Sequence, residues 1–376
     1  MTTTSAANTM ALTLVPLQAV DLGASPAVIG VLAASLPLLP MLLALRTGSW
    51  IDRLGSRTGM LTASLLLALS PVSVLVHPSV AALFVTEVML GLGNLLAVLA
   101  SQAFTASVGD ADRHEGNFGF YTSFVAAGQV AGPLLAGIVA QWHGYLPAFA
   151  ATAAVALVGM ALTALRPAVG ADGDTTSAAS GLARARRLLM IPGVQLAAVY
   201  TFSIAFAQGV FSSFFPVILQ AAGMTTALIG AVLSLRALVS TVLRPFLPAL
   251  VAQLGSRRSA LVVMVALMAA GLVATASGLS PAVAVVVSVV VGIAWGLAPP
   301  LTIVMVVSGV AATDLGFALG VRFTVNRLAQ LLGPLAIGLV AEGLSLRAGF
   351  LASGGLVAAS LGYLAIPPWR ERRRAG

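Results

Sequence analysis

Apolar residues run in long unbroken stretches along this chain, separated by short breaks that gather its glycines, prolines and charges. Ala260 to Ala276 and Val283 to Gly296 are apolar all round. They show neither the alternation of a half-buried strand nor the one-sided stripe of a helix lying on a soluble core. About 20 apolar residues make a helix long enough to cross the hydrocarbon core of a bilayer. A membrane barrel would instead show shorter segments of alternating polarity. Reading the breaks as loops predicts an all-α membrane protein of twelve spans, at 6–20, 26–46, 59–77, 79–101, 115–140, 145–165, 192–220, 226–250, 258–277, 281–306, 316–340 and 347–366.

The long polar stretch from Arg166 to Met190 carries Asp172, Asp174 and the cluster Arg184, Arg186 and Arg187. It reads as a cytoplasmic linker, so the predicted organisation is a six-helix bundle over 1–165, the linker over 166–190 and a second six-helix bundle over 191–376. The bundles are similar in sequence. A shift of 200 places Pro16, Gly23, Ile29 and Gly30 on Pro216, Gly223, Ile229 and Gly230, and Leu54-Gly55-Ser56-Arg57 on Leu254-Gly255-Ser256-Arg257. A shift of 201 places Gly91, Gly119, Gly132, Pro133, Gly137 and Phe149 on Gly292, Gly320, Gly333, Pro334, Gly338 and Phe350. With 38 glycines and 19 prolines, single coincidences mean little, but one register held along a whole half signals duplication. Two parallel repeats with a midplane site between them is a transporter layout. Pro16 has only fifteen residues before it where Pro216 has about 24 of its span, so either the start of the first span is truncated or misassigned, which is the favoured reading, or that end is thinned and open.

Composition sharpens this picture. Only 8% of residues are charged, 59% are hydrophobic, and mean hydropathy is +1.04. A soluble domain carries about 25% charged residues. The net charge of +8 comes entirely from arginine. With the N-terminus inside, Arg46, Arg53, Arg57, Arg113, Arg166, Arg184, Arg186, Arg187, Arg257, Arg258 and the arginines of 370–374 fall on the cytoplasmic side; Arg347 falls opposite, near Glu342 and Asp21. That asymmetry predicts cytoplasmic termini in a plasma (inner) membrane and makes the charge topological, not a nucleic-acid footprint. The chain has no cysteine, which excludes disulfides. Met1 to Ser5 lacks the basic start of a cleaved signal peptide. His77, His114 and His143 occupy separate loops without metal-ligand spacing. No phosphate-binding loop is present, so an ion gradient, not ATP, is the expected energy source, and no cofactor is expected.

Between the second and third spans lies Gly48-Ser49-Trp50-Ile51-Asp52-Arg53-Leu54-Gly55-Ser56-Arg57. Its spacing resembles the signature loop of the major facilitator superfamily, and the resemblance extends over the whole chain. In the second half the copy is degenerate, with Pro248 and Ala252 for the glycine and the acid but Gly255 and Arg257 kept. The resemblance implies that Asp52 faces the N-terminus of the eleventh span and favours the outward-open state, with Arg53 and Arg57 as partners. An acid at a positive helix end is worth about 0.3–1 kcal/mol when exposed. A tight turn with positive-inside anchors accounts for Arg57 equally well. The fifth span carries Gly119, Gly128, Gly132, Pro133, Ala136 and Gly137, similar to a motif of antiporters in that superfamily, where a glycine usually stands at Ala136. The resemblance leans toward export; close helix packing is the plainer reading of the same residues.

The fourth span departs from the family. Drug–proton antiporters there usually carry an arginine four residues before a glycine, whereas here Glu87 precedes Gly91. An ionisable group inside a span is a functional candidate by default. Burial disfavours the charged form of a carboxyl, so Glu87 is a candidate to gain and lose a proton; the alternative is a carboxylate satisfied by a buried arginine. Asn94 and Ser101 follow at seven and fourteen residues on the same face. On the eleventh span Arg322, Asn326 and Gln330 form a stripe spaced by four, with Arg327 one step around and Gln129 as the repeat partner of Gln330. Arg236 and Arg244 on the eighth span, Gln208 on the seventh and Tyr121 on the fifth complete the candidate substrate contacts, although Arg244 fits better as a residue snorkelling to the inner surface. Trp295, Pro299 and Pro300 on the tenth span line a cavity or serve packing.

These readings converge on a non-enzymatic secondary transporter working by alternating access. It would exchange protons for a small solute, anionic or drug-like or sugar-like, as a monomer in the bilayer. An importer of the same fold and a non-transporting receptor or lipid-handling protein are the alternatives.

Overall fold

The structure is a computed structural model that describes residues 1–107, 114–165, 191–310 and 315–365. Within these segments the side chains of 44–49, 52–54, 106–107, 114–116, 118, 192, 308–309, 315–317 and 364–365 are outside the description. The predicted linker 166–190, Arg113 and the arginines after 366 lie outside the described residues.

Every predicted span has a helical counterpart. In order these are α1 (Thr2–Asp21), α2 (Pro26–Leu54), α3 (Ser56–Leu69) with the short α4 (Val72–Val76), α5 (Val80–Ser107), α6 (His114–His143), α7 (Tyr145–Ala164), α8 (Pro192–Ala221), α9 (Thr226–Val242) with α10 (Leu247–Gln253), α11 (Arg257–Ala276), α12 (Pro281–Gly309), α13 (Leu315–Gly343) and α14 (Leu346–Ala365). Ten described segments are long and apolar enough to cross a membrane. Two spans are broken where proline removes a backbone donor: Pro71 precedes α4, and Pro245 sits in a 3-10 turn, Arg244–Phe246, between α9 and α10. Arg244, expected within a continuous eighth span, is therefore in that turn.

The duplication is visible in how helices end. At the end of α1, the Ala24 N–H donates to the Ala19 carbonyl at 2.9 Å across Gly23, whose φ is 75°. At the end of α8, Met224 donates to Leu219 at 3.1 Å across Gly223, φ 79°. Both are left-handed glycine stops in which the sixth residue bonds back to the first. Gly55 (φ 82°) and Gly255 (φ 74°) likewise open α3 and α11, so the glycine of the loop motif is there because the backbone turns where a side chain would be strained.

By contact the chain forms two compact units, one of 1–176 with 212–238 and one of 177–211 with 239–376, so α8 and α9 each divide between them. This grouping follows packing, whereas the repeat follows the sequence. In the first unit α3 packs on α5 and α7, α5 on α6, and α6 on α7. In the second, α11 packs on α12 and α14, α12 on α13, and α13 on α14. These are the same neighbours in the same repeat positions. A core of Ala7, Ala11, Leu67, Ala68, Leu90 and Ala156 joins α1, α3, α5 and α7 in the first unit. In the second, Phe211 meets Phe350 with ring centroids 6.3 Å apart.

Candidate functional site

The glycine motif of α6 works on two sides. A Cβ on Gly128 would overlap the Thr2 carbonyl oxygen and lie 2.6 Å from Ser5 Cβ; one on Gly132 would overlap Thr9 Oγ1 and lie 2.6 Å from the Ala6 carbonyl oxygen. The close approach lets two α1 hydroxyls donate to α6 carbonyls, Ser5 to Val125 at 2.9 Å and Thr9 to Gly128 at 3.2 Å. Gly137 faces the other way. A Cβ there would overlap the Thr226 carbonyl oxygen and lie 3.1 Å from Gly230 Cα, while a Cβ on Gly230 would overlap the Pro133 carbonyl oxygen. Thr226 Oγ1 donates to the Gly137 carbonyl at 3.2 Å. Gly119 meets nothing, so packing gives no reason for it.

Beside this glycine contact, α6 caps another helix. The Ala227 N–H in the first turn of α9 donates to Gln141 Oε1 at 3.0 Å, and the Leu228 N–H donates to Thr225 Oγ1 at 3.3 Å. Gln220 Nε2 donates to Asp21 Oδ1 at 2.8 Å and to the Tyr145 hydroxyl at 3.5 Å. Gln141→Ala should cost about 1 kcal/mol of stability, as loss of a helix N-terminal acceptor does, read as a lower thermal midpoint in detergent.

In the loop motif, Arg57 Nη2 donates to the Ala164 carbonyl at 2.7 Å, a cation at the C-terminus of α7. Thus the described bond of Arg57 anchors the bundle. The side chains of Gly48, Asp52 and Arg53, at the end of α2, lie outside the described residues.

Glu87 is 3% exposed on α5. Its Oε2 is enclosed and accepts no hydrogen bond, and the arginine partner that the sequence allows is not found among the described residues. Four residues on, a Cβ at Gly91 would overlap the Leu36 carbonyl oxygen, so α5 touches the backbone of α2 one turn from the carboxyl. Asn94 is half-buried and Ser101 buried on the same helix. Tyr121 is hydrogen-bonded to Gln102 and lines a cavity of about 330 Å³ with Phe104, Phe120, Phe124 and Asn117.

The second unit holds the α13 stripe. Arg322 Nε and Nη2 donate to Thr302 Oγ1 at 3.1 and 2.8 Å, and Nη2 donates to the Pro299 carbonyl at 3.3 Å, both on α12. Arg327 Nη1 donates to Gln330 Oε1 at 2.9 Å, its guanidinium lies 4.8 Å from the Phe323 ring centroid, and its Nε is enclosed without a partner. Both cations meet only neutral acceptors among the described residues. In this unit α8 and α13 repeat the approach of α1 and α6. A Cβ on Gly333 would lie 2.5 Å from the Phe206 carbonyl oxygen, and Phe206 is the repeat partner of Ala6, which Gly132 meets.

A duplicated six-helix pattern with this loop at the end of its second helix narrows the family, and sequence comparison decides it. A profile of the Major Facilitator Superfamily matches residues 1–312 and, in a second alignment, 197–375. The chain belongs to the Major Facilitator Superfamily. Among solved structures it is similar to a mutant of the nucleoside transporter NupG, with a TM-score of 0.78, 14% identity, and coverage of 96% of this chain and 98% of that one. The peptide transporter POT in complex with sulfate gives 0.77 at 14% identity over 97% and 93%. A bacterial homolog of the human lysosomal transporter Spinster, inward-facing and occupied, gives 0.75 at 14% identity over 96% and 94%. At such identities these likenesses speak for the fold alone. No curated protein matches by sequence.

As in other members of the superfamily, the fold is that of a multi-pass membrane transporter, consistent with alternating access. The candidate residues fall into two sets. Glu87, Asn94, Tyr121 and Arg236 belong to the first unit, and Gln208, Arg322, Asn326, Arg327 and Gln330 to the second. Gln208 is buried, and Asn326, Gln330 and Arg236 are half-buried. Four further residues stand in no sequence motif: Thr302, Gln141, and two carboxamides on α1, Asn8 and Gln18, whose Oδ1 and Oε1 atoms are enclosed without hydrogen bonds. The repeat held the signal for one of them: Asn8 is the partner of Gln208 at the shift of 200.

Proposed function

We propose that this superfamily member is a proton-driven exporter of a small solute bearing an acid group, with twelve crossings, both termini cytoplasmic, in the plasma (inner) membrane. The functional halves are residues 1–165 and 191–376. The observation that carries this reading is Glu87, a carboxyl enclosed in a membrane helix with an oxygen that nothing hydrogen-bonds. An ionised carboxylate so placed costs several kcal/mol, so it must shed its charge or change its surroundings during the cycle. Direction is supported by the α6 glycine motif and orientation by the arginine distribution. An acidic solute is supported by Arg322 and Arg327, whose charges meet only neutral oxygens and an aromatic face.

A thermal-shift screen of anionic and cationic compounds on the purified protein should return anionic hits. Arg322→Ala should weaken such a hit by about tenfold or more, the worth of a hydrogen bond to a charged group. Cationic hits alone, or an anionic hit indifferent to Arg322→Ala, would remove the acid-solute reading. For direction, inside-out vesicles with an acidic lumen should accumulate the solute; its expulsion under the same gradient would identify an importer.

A further inference from the structure

Thr302 is 2% exposed and belongs to no motif. Its hydroxyl donates to the Pro299 carbonyl at 2.9 Å, which turns the oxygen lone pairs toward α13. There Arg322 spends its Nε–H and one Nη2–H on the Thr302 oxygen and the other Nη2–H on the Pro299 carbonyl. A guanidinium has five donors in one rigid plane. The two left over are both on Nη1, which has no partner among the described residues and, unlike Nε of Arg327, is not enclosed by protein.

We propose that Thr302 is a positioning residue for anion recognition. It grips one edge of Arg322 so that Nη1 presents two fixed donors to a carboxylate or phosphate group. The inference rests on the reading of Arg322 as a solute contact and adds how that contact is made. Two physical points support it. A neutral hydroxyl orients the cation without cancelling its charge, which a carboxylate partner would do. An arginine side chain also has many rotamers to lose on binding, and one already held loses less of that freedom when the anion arrives.

Phenylglyoxal labels accessible guanidinium groups, and labelling of Arg322 in the full-length protein can be followed by peptide mass spectrometry with inorganic phosphate as the protecting anion. In the unmodified protein phosphate should slow labelling of Arg322. In Thr302→Val, Arg322 should still be labelled, but the phosphate concentration needed for protection should rise about tenfold, as for one charge-assisted hydrogen bond misaligned. Thr302→Ser, which keeps the hydroxyl, should restore protection, and Thr302→Ala replaces the valine variant if that does not fold. Equal protection with and without the hydroxyl would overturn the positioning role and leave Arg322 as an anion contact. Absence of protection in the unmodified protein would overturn both.

Discussion

Glu87→Gln is expected to abolish transport driven by a proton gradient while leaving the protein folded and solute binding intact. Glutamine has the shape of the protonated acid, so the packing of α5 against α2 beside Gly91 should survive. It cannot exchange a proton, so the coupling should not. One proton crossing about 150 mV supplies roughly 3.5 kcal/mol, enough for a solute gradient of a few hundredfold. In proteoliposomes given a pH gradient with the membrane potential clamped at zero, the variant should bring the solute only to equal concentrations on both sides. Solute counterflow without a gradient should continue, because a residue locked neutral still permits the loaded protein to alternate. A variant that accumulates solute as the unmodified protein does would take the proton away from Glu87. The measurement also separates a coupling role from a structural one, since a merely structural carboxyl would impair counterflow as much as gradient-driven transport.

What the sequence made legible were features that depend on spacing alone. Apolar run lengths set the helices because a bilayer fixes the length of a crossing segment. The repeat register placed Gly23 with Gly223 and Gly55 with Gly255, and all four have positive φ, the first pair where helices stop and the second where the next helices open. The breaks at Pro71 and Pro245 fall inside the predicted spans 59–77 and 226–250, because apolar run length does not say which proline interrupts a membrane helix and which only bends it. Partners were less legible. Sequence placed Arg322 on a polar stripe with Asn326 and Gln330, yet its hydrogen bonds go across to Thr302 and Pro299 on α12. A threonine in an apolar helix looks like any small residue until the opposite helix is known. Gln141 was hidden for the same reason, because its role depends on the first turn of α9, some 86 residues away. Glu87 was found, but whether an arginine faced it depended on packing that no periodicity encodes.

Gly132→Ala and Gly333→Ala should each lower stability, by about 1–3 kcal/mol, the cost of forcing an extra methyl into a filled contact. The sites are repeat partners, and each would push its new Cβ against a carbonyl oxygen of the first helix of its half, Ala6 or Phe206. Backbone atoms of a packed helix cannot swing aside as a flexible side chain can, so relief requires α1 to part from α6, or α8 from α13. The atoms that the two new Cβ groups would meet do not overlap, so the double variant should show the sum of the two losses within about 0.5 kcal/mol. Gly119 and Gly320 provide the contrast. They are also repeat partners in α6 and α13, but a Cβ on either meets nothing. Alanine there should be neutral or stabilise by up to about 1 kcal/mol through its better helix propensity. Thermal or denaturant unfolding in one detergent reads all four. If Gly132→Ala melts with Gly119→Ala, α1 and α6 are not in backbone contact, and small residues in the motif are there for some reason other than helix approach.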